Sequence, residues 1–177
     1  MDREKLMLST LTTPRSIYWI IGLGSMFLMA VALYMEHAMN LEPCPLCIFQ
    51  RVAVIGAGLI ALVAAIHNPK DTGVKIYGGL IVLSSLAGAA LSGRQLWLQS
   101  LPEDQVPACG PGLNYLMDIF PVTEVIRMVL EGDGSCAEVV FQFLGLSIPG
   151  WTMIGFIGLI LMGGFQMLRP QSTPQTG

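Results

Sequence analysis

Four cysteines hold the chemistry open to this 177-residue chain. Cys44 and Cys47 stand three apart in Pro43-Cys44-Pro45-Leu46-Cys47, a spacing at which two thiols can close a small disulfide ring. The motif opens a long apolar run, and at a helix start the positive end of the helix dipole stabilises a thiolate. Pro45 suits the first helical position, where a missing N–H costs nothing. Arg51 lies four residues beyond Cys47 and so projects from the same helix face one turn on. A cation there favours a thiolate and can donate hydrogen bonds to an electronegative ligand at a membrane boundary. The plainer reading of Arg51 is an arginine snorkelling to lipid headgroups.

Cys109 and Cys136 lie in Val106-Pro107-Ala108-Cys109-Gly110-Pro111-Gly112 and Gly132-Asp133-Gly134-Ser135-Cys136. The density of Gly and Pro predicts exposed turns that an incoming thiol can reach. Several readings compete for the four. A structural zinc site wants four ligands in two close pairs, but 27 positions separate Cys109 from Cys136, His67 falls on the side of the termini and His37 is a lone outer residue, so no metal is expected. Inert buried thiols and a purely structural loop disulfide are the other plain alternatives. The redox reading is a relay. A mobile dithiol exchanges with a soluble protein, and a fixed one at the lipid boundary passes two electrons to an acceptor in the bilayer. No haem-ligand pair, iron–sulfur spacing or dinucleotide fingerprint is present. A lipid-soluble quinone (ubiquinone or menaquinone) meets the requirement.

The elements that must hold these residues are membrane spans. The chain is 53% apolar and 12% charged, with a net charge of −3. That is about half the charge of an average soluble domain, and it excludes a soluble enzyme, a disordered tail and a nucleic-acid binder. Four apolar stretches, about 17–35, 48–66, 74–91 and 151–168, are each long enough to cross a bilayer as a helix. The first also has the basic start of a secretory signal, but its 19 apolar residues exceed a signal core and predict an uncleaved anchor. Connections of about 36–47 and 92–150 lie on one side. Within the longer one, 121–130 spaces Val122, Val125, Ile126, Val129 and Leu130 as a short amphipathic helix, either lying on the membrane surface or packed on the loop itself. Rows of small residues, Ala57/Ala61/Ala65, Ser84/Gly88/Ser92 and Ser85/Ala89/Gly93, predict close helix contact. The tail 170–177 is polar and expected to be disordered.

Basic residues set the orientation. Arg3, Lys5, Arg15, Lys70, Lys75 and Arg169 fall on the side of the termini, whereas nine of the twelve acids fall on the other. The termini are therefore expected in the cytoplasm and all four cysteines on the outer, oxidising side.

These residues resemble the disulfide bond formation protein B (DsbB) family. The likeness rests on Pro43-Cys44-x-x-Cys47-x-x-x-Arg51, the four spans, and the long cysteine-bearing loop. It extends to Gly132-Asp133-Gly134-Ser135-Cys136-Ala137-Glu138, Phe143-Leu144-Gly145-Leu146 and Pro149-x-Trp151. The resemblance implies an all-α, four-helix protein of the bacterial inner membrane that reoxidises a periplasmic DsbA-like dithiol protein and passes the electrons to the membrane quinone pool. It implies that Cys109–Cys136 is the disulfide attacked by the partner, at Cys109. Cys136 then attacks Cys44, and Cys47 with Arg51 faces the quinone. Gln50 and Ser100 depart from the family pattern, standing where an acid and a histidine are expected. Arg94 is a candidate second cation near the site, or a plain interfacial arginine. A reverse-direction or vitamin K epoxide reductase-like enzyme, and a non-enzymatic scaffold or metal-binding module, are the alternative functions.

Overall fold

The computed structural model describes residues 13–110 and 113–169. Arg3, Lys5 and the tail 170–177 lie outside the described residues. Four long helices, each apolar enough to cross a membrane, form the body: α1 (Pro14–Met39), α2 (Pro45–His67), α3 (Thr72–Gln99) and α7 (Ile148–Leu168). Local sequence punctuates them. Pro14 and Pro45 occupy first-turn positions, and Thr13 caps α1 by accepting from the Ser16 N–H. Asn40 and Asn68 end α1 and α2 in the left-handed conformation that asparagine tolerates, each turning its N–H back on the helix.

The packing runs α1 on α2, α2 on α3 and α3 on α7. Ala57, Ala61 and Ala65 are fully buried, as are Ser85 and Ser92, so the small-residue rows become the seams between helices. The closest seam is α3–α7, where the ring of Phe156 lies against Gly88. A Cβ on Gly88 would come within 2.1 Å of that ring. Phe27, Ile66, Leu83 and Leu161 point outward and are largely exposed, the apolar face a bilayer would cover.

α3 extends to Gln99, past the last apolar stretch, and the long loop therefore starts later than the hydropathy pattern predicts. That loop is structured. A 3₁₀ turn (Glu103–Gln105) leads to α4 (Leu113–Ile119), α5 (Val122–Glu131) and the single turn α6 (Gly134–Ala137). A two-stranded hairpin follows, β1 (Gln142–Phe143) paired with β2 (Leu146–Ser147). Its two-residue turn, Leu144-Gly145, has positive φ at both positions, the geometry that matches strand twist. Ser147 Oγ donates to Gln99 Oε1 at 2.8 Å and ties the hairpin to the end of α3.

The loop also has a core of its own. Leu116, Val125, Val129 and Cys136 are buried against Leu46 of α2 and Leu98 of α3. The amphipathic helix α5 thus buries Val125 and Val129 on the loop core and leaves Val122, Ile126 and Leu130 exposed. Arg94 is neither a free cation nor a site cation. It donates to the carbonyls of Leu130 and Glu131 and so caps the negative end of α5, with its guanidinium over the Trp97 ring.

Candidate redox site

Cys44 is itself the N-cap of α2, its sulfur accepting the Cys47 N–H at 3.4 Å. A residue in that role has extended backbone and turns its side chain back over the first helical turn. This brings the Cys44 and Cys47 sulfurs to 2.9 Å, both as free thiols. The capping geometry that starts the helix is therefore the geometry that pairs the two thiols.

The long loop delivers a third sulfur. Asp133 caps α6 by accepting the Cys136 N–H at 3.3 Å, and the turn points Cys136 inward, where it is fully buried against Cys44. The expectation of an exposed turn at Cys136 is thus corrected: its glycine-rich flank packs against Leu98 and the 107–109 segment, and Cys136 itself is buried. Cys109 is exposed as the local sequence predicts. Gly134 keeps the two together, because its backbone runs against the Pro107 carbonyl and the Cys109 sulfur with no room for a side chain. The Gly134 N–H donates to the Ala108 carbonyl at 3.3 Å. A cleft of about 230 Å³ opens beside Cys136 between Pro45, Gly110, Leu116 and Met128.

Protonation is biased within this cluster. The Cys44 thiol is pushed well above the ordinary thiol range, first by its hydrogen bond to Cys136, then by that to Cys47 and by burial. Cys136 is pulled below the ordinary range, chiefly by the hydrogen bond from Cys44, with the Leu46 and Asp133 backbone N–H groups adding to it against burial. The bias favours the proton on Cys44 and negative charge on Cys136. A thiolate set against the sulfur of a Cys-x-x-Cys pair is arranged for thiol–disulfide exchange.

Arg51 lies one turn beyond Cys47, and it is engaged. Its guanidinium pairs with the Glu36 carboxylate of α1 and reaches the Ala32 carbonyl, while its side chain stays 20% exposed. Sequence reasoning counted Glu36 only as one of the outer acids. Its position as the first charge after the apolar run of α1 was the available signal. Two further participants went unpredicted, Gln95 and Thr152. The Gln95 amide lies within 3.3 Å of both the Cys44 and Cys47 sulfurs. It also accepts from Gln50, which in turn meets Thr152. Ser100 caps α3 by donating to the Trp97 carbonyl. Among the described residues no group of three or more His, Cys, Asp or Glu side chains could hold a metal ion.

A family model described as disulfide bond formation protein DsbB matches residues 14–166, nearly the whole chain. The chain belongs to the DsbB family. A disulfide bond formation protein B of Hahella chejuensis is 54% identical over 157 residues, covering 89% of this chain and 95% of that protein. One of the same name from Marinobacter nauticus is 54% identical over 160 residues, covering 90% and 95%. A more distant namesake from Acinetobacter baumannii keeps 46% identity over 156 residues, covering 88% and 91%. This DsbB-family chain is a four-helix membrane protein with a disulfide-forming redox role. The open apolar flank of α2 beside Arg51, where Val52 and Ile55 are exposed, suits a lipid-soluble ring whose carbonyls need a hydrogen-bond donor.

Proposed function

We propose that this protein is a quinone-dependent thiol oxidase of the bacterial inner membrane that reoxidises a DsbA-like periplasmic dithiol protein. The observation that carries the reading is the contrast within the loop pair: Cys109 is exposed while Cys136 is buried against Cys44. In the working cycle the partner's thiolate attacks Cys109 of a Cys109–Cys136 disulfide. The Cys109–Cys136 bond breaks, a mixed disulfide forms at Cys109, and the electron pair leaves on Cys136, the sulfur whose thiolate the site favours. Cys136 attacks Cys44 of a Cys44–Cys47 disulfide, and the pair leaves on Cys47. The partner's second thiolate then releases its own disulfide from Cys109.

Cys47 and Arg51 share one face of α2 at the lipid boundary, and these two residues would hold the quinone. A bound quinone supplies the two-electron, two-proton acceptor that the cysteines lack. Arg51 donates hydrogen bonds and holds negative charge there, and Glu36 fixes its guanidinium and balances its charge. The basic residues at the terminal side of the sequence support a cytoplasmic location for the termini and a periplasmic one for the cysteines.

The test mixes purified protein, a reduced DsbA-like partner and a short-chain ubiquinone or menaquinone, and follows quinone absorbance. Sustained quinone reduction that Cys44→Ser abolishes is the expected result. Quinone reduction no faster than that of the Cys44→Ser variant would overturn the assignment.

A further inference from the structure

Exchange at Cys44 leaves a negative sulfur on Cys47 with one face in the bundle, and a buried charge without a donor is costly. The donor present is the side chain of Gln95. Gln95 is 3% exposed and its Nε2 lies 3.3 Å from the Cys47 sulfur and 3.3 Å from that of Cys44. A primary amide has two N–H donors, so one group can serve both sulfurs at once.

An amide can present its carbonyl as readily as its N–H₂, so its orientation needs a cause. Gln50 of α2, also 3% exposed, donates its Nε2 to Gln95 Oε1 at 2.8 Å. That bond holds the Gln95 carbonyl toward Gln50; the carbonyl also lies 3.5 Å from the Cys47 sulfur, and the N–H₂ is the nearer group to both sulfurs. Gln50 is met in turn by Thr152 of α7, whose hydroxyl shares its one proton between Gln50 Oε1 at 2.9 Å and the Pro149 carbonyl of its own helix at 3.0 Å. Ser92 of α3 lies 3.3 Å from the Thr152 hydroxyl. The chain of donors runs from α7 through α2 to α3 and ends on the two reacting sulfurs. It consists of neutral groups, which can face a thiolate without adding a charge to the bundle.

We propose that Gln95 is a catalytic residue of the Cys44–Cys47 couple, donating to the thiolate released at Cys47, and that Gln50 and Thr152 are positioning residues that hold its amide in the donating orientation. The inference rests on the redox role proposed above for this pair. In the step it serves, the Cys44–Cys47 bond breaks, the Cys44–Cys136 bond forms, and the electron pair comes to rest on Cys47 with no proton consumed. By favouring the sulfur that carries the pair, Gln95 makes the Cys44–Cys47 disulfide more readily reduced, hence a stronger oxidant of the loop.

The test uses the full-length chain in detergent micelles with Cys109→Ala and Cys136→Ala, so that a single pair remains. It is equilibrated in glutathione buffers, and its disulfide fraction is read by alkylation and mass. Gln95→Glu keeps the shape and an acceptor for Gln50 but removes the N–H donors. The expected result is a shift of about tenfold in the equilibrium constant toward the disulfide, the scale of one hydrogen bond to a charged group, or about 30 mV for a two-electron couple. Thr152→Val leaves Gln95 in place and only releases its orientation, and it should shift the constant about threefold in the same direction. It keeps the test decisive if Gln95→Glu fails to fold. Constants within a factor of 1.5 of the parent for the folded variants overturn the role of Gln95 and leave the redox pair standing. A pair that forms no disulfide in any buffer overturns both.

Discussion

Gly134 offers a perturbation in which local propensity and tertiary contact predict opposite outcomes. It is the first residue of α6, and its φ is not positive, so alanine is conformationally welcome there. Helix propensity alone favours Gly134→Ala by up to ~1 kcal/mol. The surroundings oppose it. A Cβ at this position would lie 2.7 Å from the Pro107 carbonyl oxygen, 3.0 Å from the Cys109 sulfur and 3.1 Å from the Cys109 nitrogen. Two of those three atoms are backbone, so relief requires the segment 107–109 to move away from α6. Overpacking of this kind costs about 1–3 kcal/mol, and 1.4 kcal/mol is about tenfold in an equilibrium constant. The strain falls between the two segments that a Cys109–Cys136 bond must join. In a Cys44→Ala, Cys47→Ala background, Gly134→Ala should therefore lower the equilibrium constant for that disulfide about tenfold, read by alkylation in glutathione buffers. An unchanged or higher constant would show that segment 107–109 yields freely and that Gly134 does not hold Cys109 against α6.

Other outcomes follow from the same contacts. Arg51→Met should raise the KM for a short-chain quinone at least tenfold while leaving the Cys109–Cys136 disulfide equilibrium unmoved; equal damage to both would argue against a quinone-facing arginine. Because Glu36 acts through Arg51, quinone kinetics of the Glu36→Gln, Arg51→Met double variant should match Arg51→Met alone, and additive losses in that cycle would separate the two residues. Gly88→Ala forces a methyl into the Phe156 ring and should destabilise the bundle by about 1–3 kcal/mol, measured as a lower midpoint of thermal unfolding in micelles. For pH, the reduced chain holds a Cys136 thiol whose pKa the Cys44 S–H pulls below the ordinary value. In that chain, alkylation of Cys136 should therefore persist below pH ~8.5, the usual thiol midpoint. A midpoint at or above that value would contradict the thiolate assignment.

The four spans were legible because lipid imposes a simple requirement, an unbroken helix with an apolar surface. Their ends were not. Ser92 to Gln99 carries Ser, Arg and Gln and reads as loop, yet it stays helical because Leu98 packs on the loop core and Gln95 reaches the cysteine sulfurs. The Cys-x-x-Cys pair and its helix-start position were legible for a local reason, since Pro45 and a capping residue fix both. Cys136 shows the limit of local cues. Its Gly-rich flank predicts exposure, but burial depends on α5 and α2 meeting over it, which is a tertiary fact. The Glu36–Arg51 pair and the Gln50–Gln95–Thr152 chain depend on how helices are rotated against each other, information that a hydropathy pattern does not carry. Arg94 shows the converse case, a cation explained by a helix end that only the folded loop brings within reach.

The central claim is that electrons cross from the loop to the lipid-boundary pair through Cys136 and Cys44. The direct measurement uses the parent chain with both the Cys109–Cys136 and the Cys44–Cys47 pairs oxidised and no quinone added. Loaded with a DsbA-like protein that carries only its attacking cysteine and quenched with acid, its disulfides are mapped by peptide mass spectrometry. The account predicts a Cys44–Cys136 link, with the partner joined to Cys109. A Cys44–Cys109 link, or a partner joined to Cys136, would contradict it.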